Sequence, residues 1–274
     1  MSFQNSPAWW GGEGRSDDRL TLLDLVRNNT LDLTLASLLW LMVERKASIV
    51  AAAGPQLAGK TTLLSAVLDF MPPEYEDVLT TGSSEDFSFL DHKEPSATYI
   101  LVPELSDHTP AYLWGDKVRT LFDALGRGYS MAATIHADTP EQVLDMLSDA
   151  PVLVPGHLLH HAQFVVNLSL SYGDRGMERR VGLVSAVLPG DRTGQTAPGI
   201  VSVAQWRPET DTFALETSDS ARQALAGSLR MSPAEIEPDL AERGKVLRSW
   251  MDATPTDAEL RLAVADHYRS RGRR

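Results

Sequence analysis

Short apolar runs, rich in small and β-branched residues, recur through the first half of the chain and are separated by polar stretches. The three clearest runs are residues 47–53, 97–104 and 130–136, and each has the length of a buried strand. In 62–70 and 118–125, apolar residues recur instead at the spacing of one helix face. Because buried strands alternate with helices, the pattern predicts an α/β fold with a mostly parallel sheet.

Weaker patterns add helices before this region and strands around it. Residues 20–27 and 33–44 have helical periodicity, which the polar residues 28–30 interrupt. Turn residues at 173–176 and 208–211 each lie between two short runs that are typical of strands. The further strands predicted in this way are 77–81, 161–171, 180–188, 201–206 and 212–215.

These changes of pattern divide the chain into four segments. Residues 1–18 are rich in Gly, Ser and Asn and are expected to form a flexible tail. A helical lead-in follows at 19–46, and the α/β core is expected at 47–216. From 217 to 274 the pattern becomes helical and strongly charged, which predicts a C-terminal helical segment.

Two interpretations of the C-terminal helical segment are open. Its helices, expected at 221–230 and 233–251, either cap the core or present a surface to a partner. Apolar residues recur at helical spacing along both helices, and this favours the cap. The residues expected on the buried faces are Leu225, Leu229, Ile236, Leu240, Val246, Leu247 and Trp250.

Composition excludes several classes of function. The chain has 274 residues and a formal net charge of −12, which disfavours sequence-independent binding to nucleic acid or to an anionic membrane. It has no Cys, so disulfides, thiolate metal sites and thiol nucleophiles are excluded. No apolar run reaches the ~18 residues that span a bilayer, and no secretory signal is recognisable. We therefore expect a cytoplasmic protein, whose association with a membrane would depend on a partner.

One short motif carries a specific chemistry. Residues 54–62 match the phosphate-binding loop pattern G-x-x-x-x-G-K-[ST], between a predicted strand and a predicted helix. The two glycines permit backbone conformations in which successive N–H groups surround an anion. Lys60 would reach the β- and γ-phosphates, and the Thr61 hydroxyl would hold Mg²⁺. The nucleotide-binding residues predicted here are Gly54, Pro55, Gln56, Leu57, Ala58, Gly59, Lys60, Thr61 and Thr62.

Two further predicted strands end in residues that suit catalysis of phosphoryl transfer. Glu104 ends the strand at 97–104, where a carboxylate can polarise an attacking water or order Mg²⁺ through a water molecule. His136 ends the strand at 130–136, where an imidazole can sense the γ-phosphate or stabilise its charge. Because the carboxyl ends of parallel strands share one edge of the sheet, we expect Lys60, Glu104 and His136 to lie together.

A cluster of histidines raises a second hypothesis, a metal site. His157, His160 and His161 are close in the sequence, but they lack carboxylate or cysteine partners at ligand spacing. We expect them instead to cover the junction between a helix and a strand.

Taken in order, these motifs resemble the secretion ATPase superfamily, the hexameric motors of type IV pili, type II and type IV secretion, tight-adherence pili and the archaellum. Residues 20–27 look like the lead-in helix of the tight-adherence branch. The strand that ends at Glu104 is similar to the family's Walker B strand, and residues 128–140 are similar to its histidine box. The resemblance covers roughly residues 20–268 and implies a RecA-like P-loop NTPase core with a small C-terminal helical appendage.

The chain also departs from the family's pattern. Family motors carry a Gly before the Walker B Glu and an Arg two residues after it, whereas this chain has Pro103 and Ser106. The acidic loop called the aspartate box is weak here. Either Gly82 stands in place of its leading Glu, or residues 85–86 supply the acid.

Arginines are a further departure. The stretch before the Walker B strand lacks Arg, and we expect most of the family's N-terminal domain, which supplies arginines to a neighbouring subunit, to be missing. Arg127, Arg179 and Arg180 are the candidates for replacing that charge. Because arginine contacts accelerate phosphoryl transfer by several powers of ten, nucleotide binding is better supported than rapid turnover.

The resemblance implies a function and leaves one alternative open. The leading hypothesis is a Mg-ATP-dependent motor that forms a ring, a hexamer in the family, and couples ATP hydrolysis to the assembly or export of pilin-like subunits. Its partner would be a polytopic membrane platform protein of a pilus or secretion system, with no nucleic acid and no membrane insertion of its own. The alternative is a degenerate nucleotide-binding paralogue that hydrolyses little and regulates or completes the ring of a full-length motor.

Overall fold

Eight strands and eight α-helices make up the computed structural model, which describes residues 20–173, 176–190 and 198–271. The tail predicted at 1–18 and the centre of the turn predicted at 173–176 lie outside the described residues. The strands are β1 (Ile49–Ala52), β2 (Glu76–Leu79), β3 (Thr98–Val102), β4 (Ser130–Ile135), β5 (Phe164–Gly173), β6 (Gly176–Leu188), β7 (Gly199–Arg207) and β8 (Thr212–Leu215). The helices are α1 (Leu22–Arg27), α2 (Leu33–Glu44), α3 (Lys60–Leu68), α4 (Asp116–Gly126), α5 (Pro140–Ser148), α6 (Asp219–Leu229), α7 (Pro233–Ala253) and α8 (Asp257–Arg271).

The eight strands form one sheet, in the order β2-β3-β4-β1-β5-β6-β7-β8. From β2 to β5 neighbouring strands are parallel, and from β5 to β8 they are antiparallel. Parallel neighbours need crossover connections, which α3, α4 and α5 supply, whereas the antiparallel strands follow one another directly. The predicted α/β fold with a mostly parallel sheet is therefore confirmed, and its parallel half has the strand order of a RecA-like core.

Both faces of the central strands are buried. In β1, Ile49 and Ala51 belong to the apolar cluster that includes α1, α2 and α3, whereas Val50 and Ala52 belong to the cluster that includes α4 and α5. A strand covered on both sides is apolar at every position, which explains the continuous run in the sequence. None of the helices in the described part of the chain is both long and apolar enough to cross a membrane.

The helix and strand starts beside the phosphate-binding loop and before β5 differ from the sequence-based expectations. Helix α3 starts at Lys60 rather than at residue 62, because Gly59 adopts a left-handed conformation at the N-cap and turns the loop directly into the helix. Strand β5 starts three residues late because Leu159–Ala162 form a 3₁₀-helix before it. The periodicity of apolar residues does not distinguish such a turn from a strand.

The C-terminal helices cap the core by packing against α2. Trp40 in α2 is fully buried, and its indole Nε1 donates to Tyr268 Oη at 2.7 Å. The guanidinium of Arg243 lies 4.7 Å from the centre of the Trp40 ring, and its Nη2 is 2.7 Å from Glu44 Oε2. The residues expected on the buried faces contact the core: Leu225, Leu229, Ile236, Leu240 and Leu247 are buried, and Val246 and Trp250 are partly buried.

The carboxylate of Asp211 links strand β6, through an ion pair with Arg180, to the segment after α1, through a hydrogen bond from Asn29. Asp211, in the β7–β8 turn, accepts a hydrogen bond from Arg180 Nε at 2.8 Å. The same carboxylate accepts from Trp206 Nε1 at 2.8 Å and from Asn29 Nδ2 at 2.7 Å. Arg180 is only 4% exposed, and its hydrogen bond lowers the pKa of the Asp211 carboxyl to about 2.

We expect Asp211→Asn to lower the free energy of unfolding by about 1 kcal/mol at neutral pH, because the buried guanidinium loses one of its two carboxylate partners, while solvent screens the Asp211 side chain, which is 39% exposed. Since folding lowers the pKa of Asp211 from 3.8 to about 2, the native pair stabilises the fold above the unfolded value and loses this effect as the pH falls through the folded value. Urea unfolding of both proteins should therefore differ at neutral pH and converge in acid. Asp219→Asn, at a side chain that is 95% exposed, is the control. A difference that does not change with pH would contradict the assignment.

Candidate functional site

A cleft of 1220 Å³ opens where the strands β1, β3 and β4 end. Seven of the nine predicted loop residues line it, from Gln56 to Thr62, together with Glu104 and His136. The remaining two lie beside it: Gly54 is half-buried and Pro55 is exposed. The structure thus brings the predicted loop, Glu104 and His136 to one cleft, although β3 ends at Val102 and β4 at Ile135, so both side chains follow their strands rather than end them.

The two glycines of the phosphate-binding loop occupy sterically restricted positions. At Gly54, a Cβ atom would lie 1.9 Å from Asp138 Oδ1, so a side chain there would displace the Asp138 carboxylate. At Gly59, φ is +95°, a conformation that other residues rarely adopt. The loop then enters α3, whose first-turn N–H groups and dipole favour an anion at this position.

Three ionisable side chains form a continuous row in the cleft. The Lys60 ammonium lies 3.3 Å from both ring nitrogens of His136, and His136 Nε2 lies 3.3 Å from Glu104 Oε2. His136 Nδ1 is also 3.1 Å from the carbonyl oxygen of Gly54, which joins the row to the loop. Burial lowers the pKa of Lys60, and the nearby Glu104 carboxylate opposes that effect. The ammonium is therefore held where an additional negative charge would stabilise it.

Glu104 is held in place by hydrogen bonds to the residues on either side of it and to its own carboxylate. The backbone N–H of Leu105 donates to Thr134 O at 2.8 Å, and the Thr134 hydroxyl donates to Pro103 O at 2.5 Å. The buried Ser106 hydroxyl donates to Glu104 Oε1 at 3.0 Å. Ser106 thus orients the carboxylate.

His108 is a cleft residue that the sequence analysis missed. Its Nδ1 lies 3.6 Å from Glu104 Oε1, and its ring centre is 6.2 Å from that of His136. Glu104 therefore lies between two imidazoles, one half-buried and one exposed to solvent. The sequence signal for His108 was its position four residues after Glu104. In a loop, however, that spacing does not determine whether the His108 side chain points toward Glu104.

The three candidate arginines occupy different positions. Arg180 lines the cleft, but it is paired with Asp211 and with Glu178, whose Oε2 is 3.4 Å from Arg180 Nη2. Arg179 also lines the cleft, and its Nε donates to the carbonyl oxygen of Leu57 in the loop at 2.8 Å. Arg127 follows α4 and precedes the start of β4, so it lies at the opposite edge of the sheet.

The two candidates for the aspartate box both have local roles. The carboxylate of Glu85 is buried and accepts from the backbone N–H groups of Thr81 and Phe87, each at 2.8 Å. At Gly82, φ is +64° and a Cβ atom would lie 2.3 Å from Pro110 O, so the close approach of that segment requires glycine. None of Gly82, Glu85 and Asp86 belongs to the lining of the cleft.

Two histidines of the cluster, His160 and His161, lie on the 3₁₀-helix Leu159–Ala162 between α5 and β5, and His157 precedes that helix. The rings of His160 and His161 are 4.2 Å apart, and burial, reinforced by His160 and His157, lowers the pKa of His161 to about 4. In the described part of the chain, no group of three or more His, Asp or Glu side chains is placed to hold a metal ion. The cluster covers a helix-to-strand junction, as expected.

The residues of the cleft fit magnesium and a nucleoside triphosphate. The loop and the start of α3 provide backbone donors, and Lys60 provides a cation whose pKa is lowered by burial, so that a bound anion would stabilise its charge. Mg²⁺ bound to a nucleotide takes most of its ligands from phosphate and water and needs only one or two from the protein. Thr61, in the first turn of α3, would supply one ligand directly, and Glu104 would hold Mg²⁺ through a water molecule.

The sequence matches no protein-family model. It is 26% identical over 264 residues to the uncharacterized protein MJ1287 of Methanocaldococcus jannaschii, a match that covers 89% of this chain and 96% of that protein.

Among solved structures, the chain is similar to the VirB11 ATPase from the Brucella suis type IV secretion system in complex with sulphate, with 20% identity, a TM-score of 0.42, and coverage of 63% of this chain and 57% of that chain. It is also similar to the ATPase DotB of Yersinia pseudotuberculosis, with 14% identity, a TM-score of 0.42, and coverage of 90% and 63% respectively. For the ATPase DotB of Legionella pneumophila, the identity is 16%, the TM-score 0.40, and the coverage 64% and 52%. The chain therefore spans only 52% to 63% of the length of these solved chains.

Proposed function

We propose that this chain is a P-loop ATPase that binds Mg-ATP in the cleft and hydrolyses it. The observation that carries the proposal is the row of Lys60, His136 and Glu104, joined by distances of 3.3 Å, beside a glycine-containing loop at a helix N-terminus. A cation, an anion-binding loop and a carboxylate within one cleft are the parts that phosphoryl transfer to water requires.

Each residue has a role that follows from its place. The backbone N–H groups of the loop bind the phosphate oxygens, and Lys60 neutralises charge on the β- and γ-phosphates. Mg²⁺, when bound, neutralises further charge on the same oxygens. Glu104, oriented by Ser106, accepts the proton of the attacking water. His136 lies between Lys60 and Glu104 and keeps the cation and the base apart. Its imidazole also acts as the sensor of the γ-phosphate.

The order of motifs supports a finer proposal, membership of the secretion ATPase superfamily. In this proposal the chain works in the cytoplasm as a ring, a hexamer in the family, and couples hydrolysis to the assembly or export of pilin-like subunits. A polytopic membrane platform protein would be its partner. The phosphate-binding loop, the strand β3 followed by Glu104, and the histidine box that contains His136 support this assignment.

One observation favours the alternative, a nucleotide-binding paralogue with little hydrolysis of its own. Of the three arginines considered, Arg180 is neutralised by Asp211 and Arg127 is at the wrong edge of the sheet. Arg179 is held by Leu57 on the loop, on the side away from Glu104. In the described part of the cleft, Lys60 is thus the cation beside Glu104, and rapid turnover would need charge from a neighbouring subunit.

The test measures nucleotide binding and phosphate release with Mg-ATP in the same samples, across a wide range of protein concentration. Release that rises more steeply than protein concentration supports a ring that works alone, since each site would depend on a neighbour. Binding with release only after addition of a related full-length motor supports the paralogue. A chain that binds no nucleotide at any concentration would overturn the proposed function.

A further inference from the structure

The cleft extends well beyond the residues that the proposed hydrolysis uses. The loop follows β1, which is the middle strand of the region: β4 and β3 lie to one side of it, and β5 and β6 to the other. His136 and Glu104 lie on the first side, whereas Leu168, Met177 and Arg179 line the cleft on the second. A linear triphosphate with its γ-phosphate beside Glu104 therefore has its nucleoside directed toward β5 and β6.

Arg179 lies across the loop on that second side. A Cβ atom at Gly59 would be 3.2 Å from Arg179 Cδ, so the side chain packs directly on the loop backbone. Its Nε donates to Leu57 O at 2.8 Å, and its Nη2 is 2.8 Å from Met177 Sδ. The guanidinium is thus fixed in orientation at both ends while it remains partly exposed in the cleft.

The charges of Arg179 and its neighbour Arg180 differ in their partners. In the described part of the chain, no carboxylate lies within ion-pair distance of Arg179, although Arg180 has two. Adjacent strand residues point to opposite faces of a sheet, which explains why one guanidinium meets Asp211 and the other meets the loop. A partly exposed guanidinium that a backbone carbonyl and a thioether hold in place suits a planar ligand.

We infer that Arg179 and Met177 form the platform on which the base of the bound nucleotide lies. This inference rests on the proposed function and adds to it the position of the nucleobase. The guanidinium plane stacks on the ring, and the polarisable thioether contacts its edge. The end of α1, with Asn28 and Asn29, forms another part of the lining of the same cleft.

The test separates the base from the phosphates by comparing ATP with inorganic tripolyphosphate, both with Mg²⁺, in equilibrium binding. The key variant is Arg179→Lys, which keeps the charge and removes the plane. We expect it to weaken ATP binding by about fivefold or more, which is the lower end of a base-stacking contribution, and to leave tripolyphosphate binding within about twofold of native. Met177→Ala should produce a smaller loss in the same pattern. Arg127→Lys, at the opposite edge of the sheet, is the matched control and should change neither affinity.

The remaining outcomes each decide against the inference in a distinct way. An Arg179→Lys variant that is folded by its melting curve and loses both affinities equally would show that Arg179 serves the phosphates. Unchanged affinities in both Arg179→Lys and Met177→Ala would place the base elsewhere. A native chain that binds neither ATP nor tripolyphosphate would overturn the proposed function itself. A native chain that binds both with equal affinity would overturn only the base platform.

Discussion

Glu104→Gln is expected to lower steady-state phosphate release by at least ~100-fold and to leave the affinity for Mg-ATP within about threefold of native. The amide has the size of the carboxylate and still accepts the hydrogen bond that Ser106 donates at 3.0 Å. It cannot accept the proton of the attacking water, so the chemical step fails while the binding surface stays intact. Single-turnover phosphate release, measured with nucleotide binding on the same preparation, separates these two quantities.

The matched control is Glu141→Gln, which changes an exposed acid in the first turn of α5. Its turnover should equal that of the native chain, because Glu141 lies outside the lining of the cleft. If Glu104→Gln hydrolyses ATP as fast as this control, Glu104 is not the base. The row formed with His136 and Lys60 would then serve nucleotide binding alone.

Short-range patterns predicted the elements that build the cleft. Strand β1 is recognisable because both of its faces are buried, so its residues are all apolar. The loop is recognisable because its two glycines and the following Lys and Thr have the fixed spacing of a phosphate-binding loop. The meeting of Glu104 with His136 followed from one rule, that parallel strands end at the same edge of a sheet. Each of these inferences depends either on residues close in the sequence or on the common direction of parallel strands.

The hydrogen-bond partners of the arginines that line the cleft were not predictable in the same way. Arg180 and Asp211 meet across 31 residues because β6, β7 and β8 are antiparallel neighbours, and the register that joins them depends on bulges in the sheet. Arg179 and Leu57 meet across 122 residues. Two adjacent arginines look alike in a sequence, and only the face of the strand decides that one is neutralised and the other contacts the loop.

Lys60→Ala is expected to weaken Mg-ATP binding by at least ~100-fold and thereby to abolish turnover at ordinary nucleotide concentrations. The ammonium is the cation beside Glu104 and His136, and phosphate oxygens there would lose a charge-assisted contact in a site shielded from water. Lys245→Ala, at an exposed position on α7, is the control and should bind as the native chain does. A Lys60→Ala variant with native affinity would remove the loop from the binding site.

Loss of binding in Lys60→Ala is expected without loss of stability, and this combination distinguishes a functional lysine from a structural one. Burial lowers the pKa of Lys60, which means that the folded chain disfavours the charge it holds there. Removing the ammonium should therefore change the free energy of unfolding by no more than about 1 kcal/mol, with the lost packing of the side-chain stem offset by the relieved desolvation. Urea unfolding without nucleotide measures this difference. With saturating Mg-ATP, the native chain should gain stability and the variant should not, because only a folded site that binds the ligand is stabilised by it.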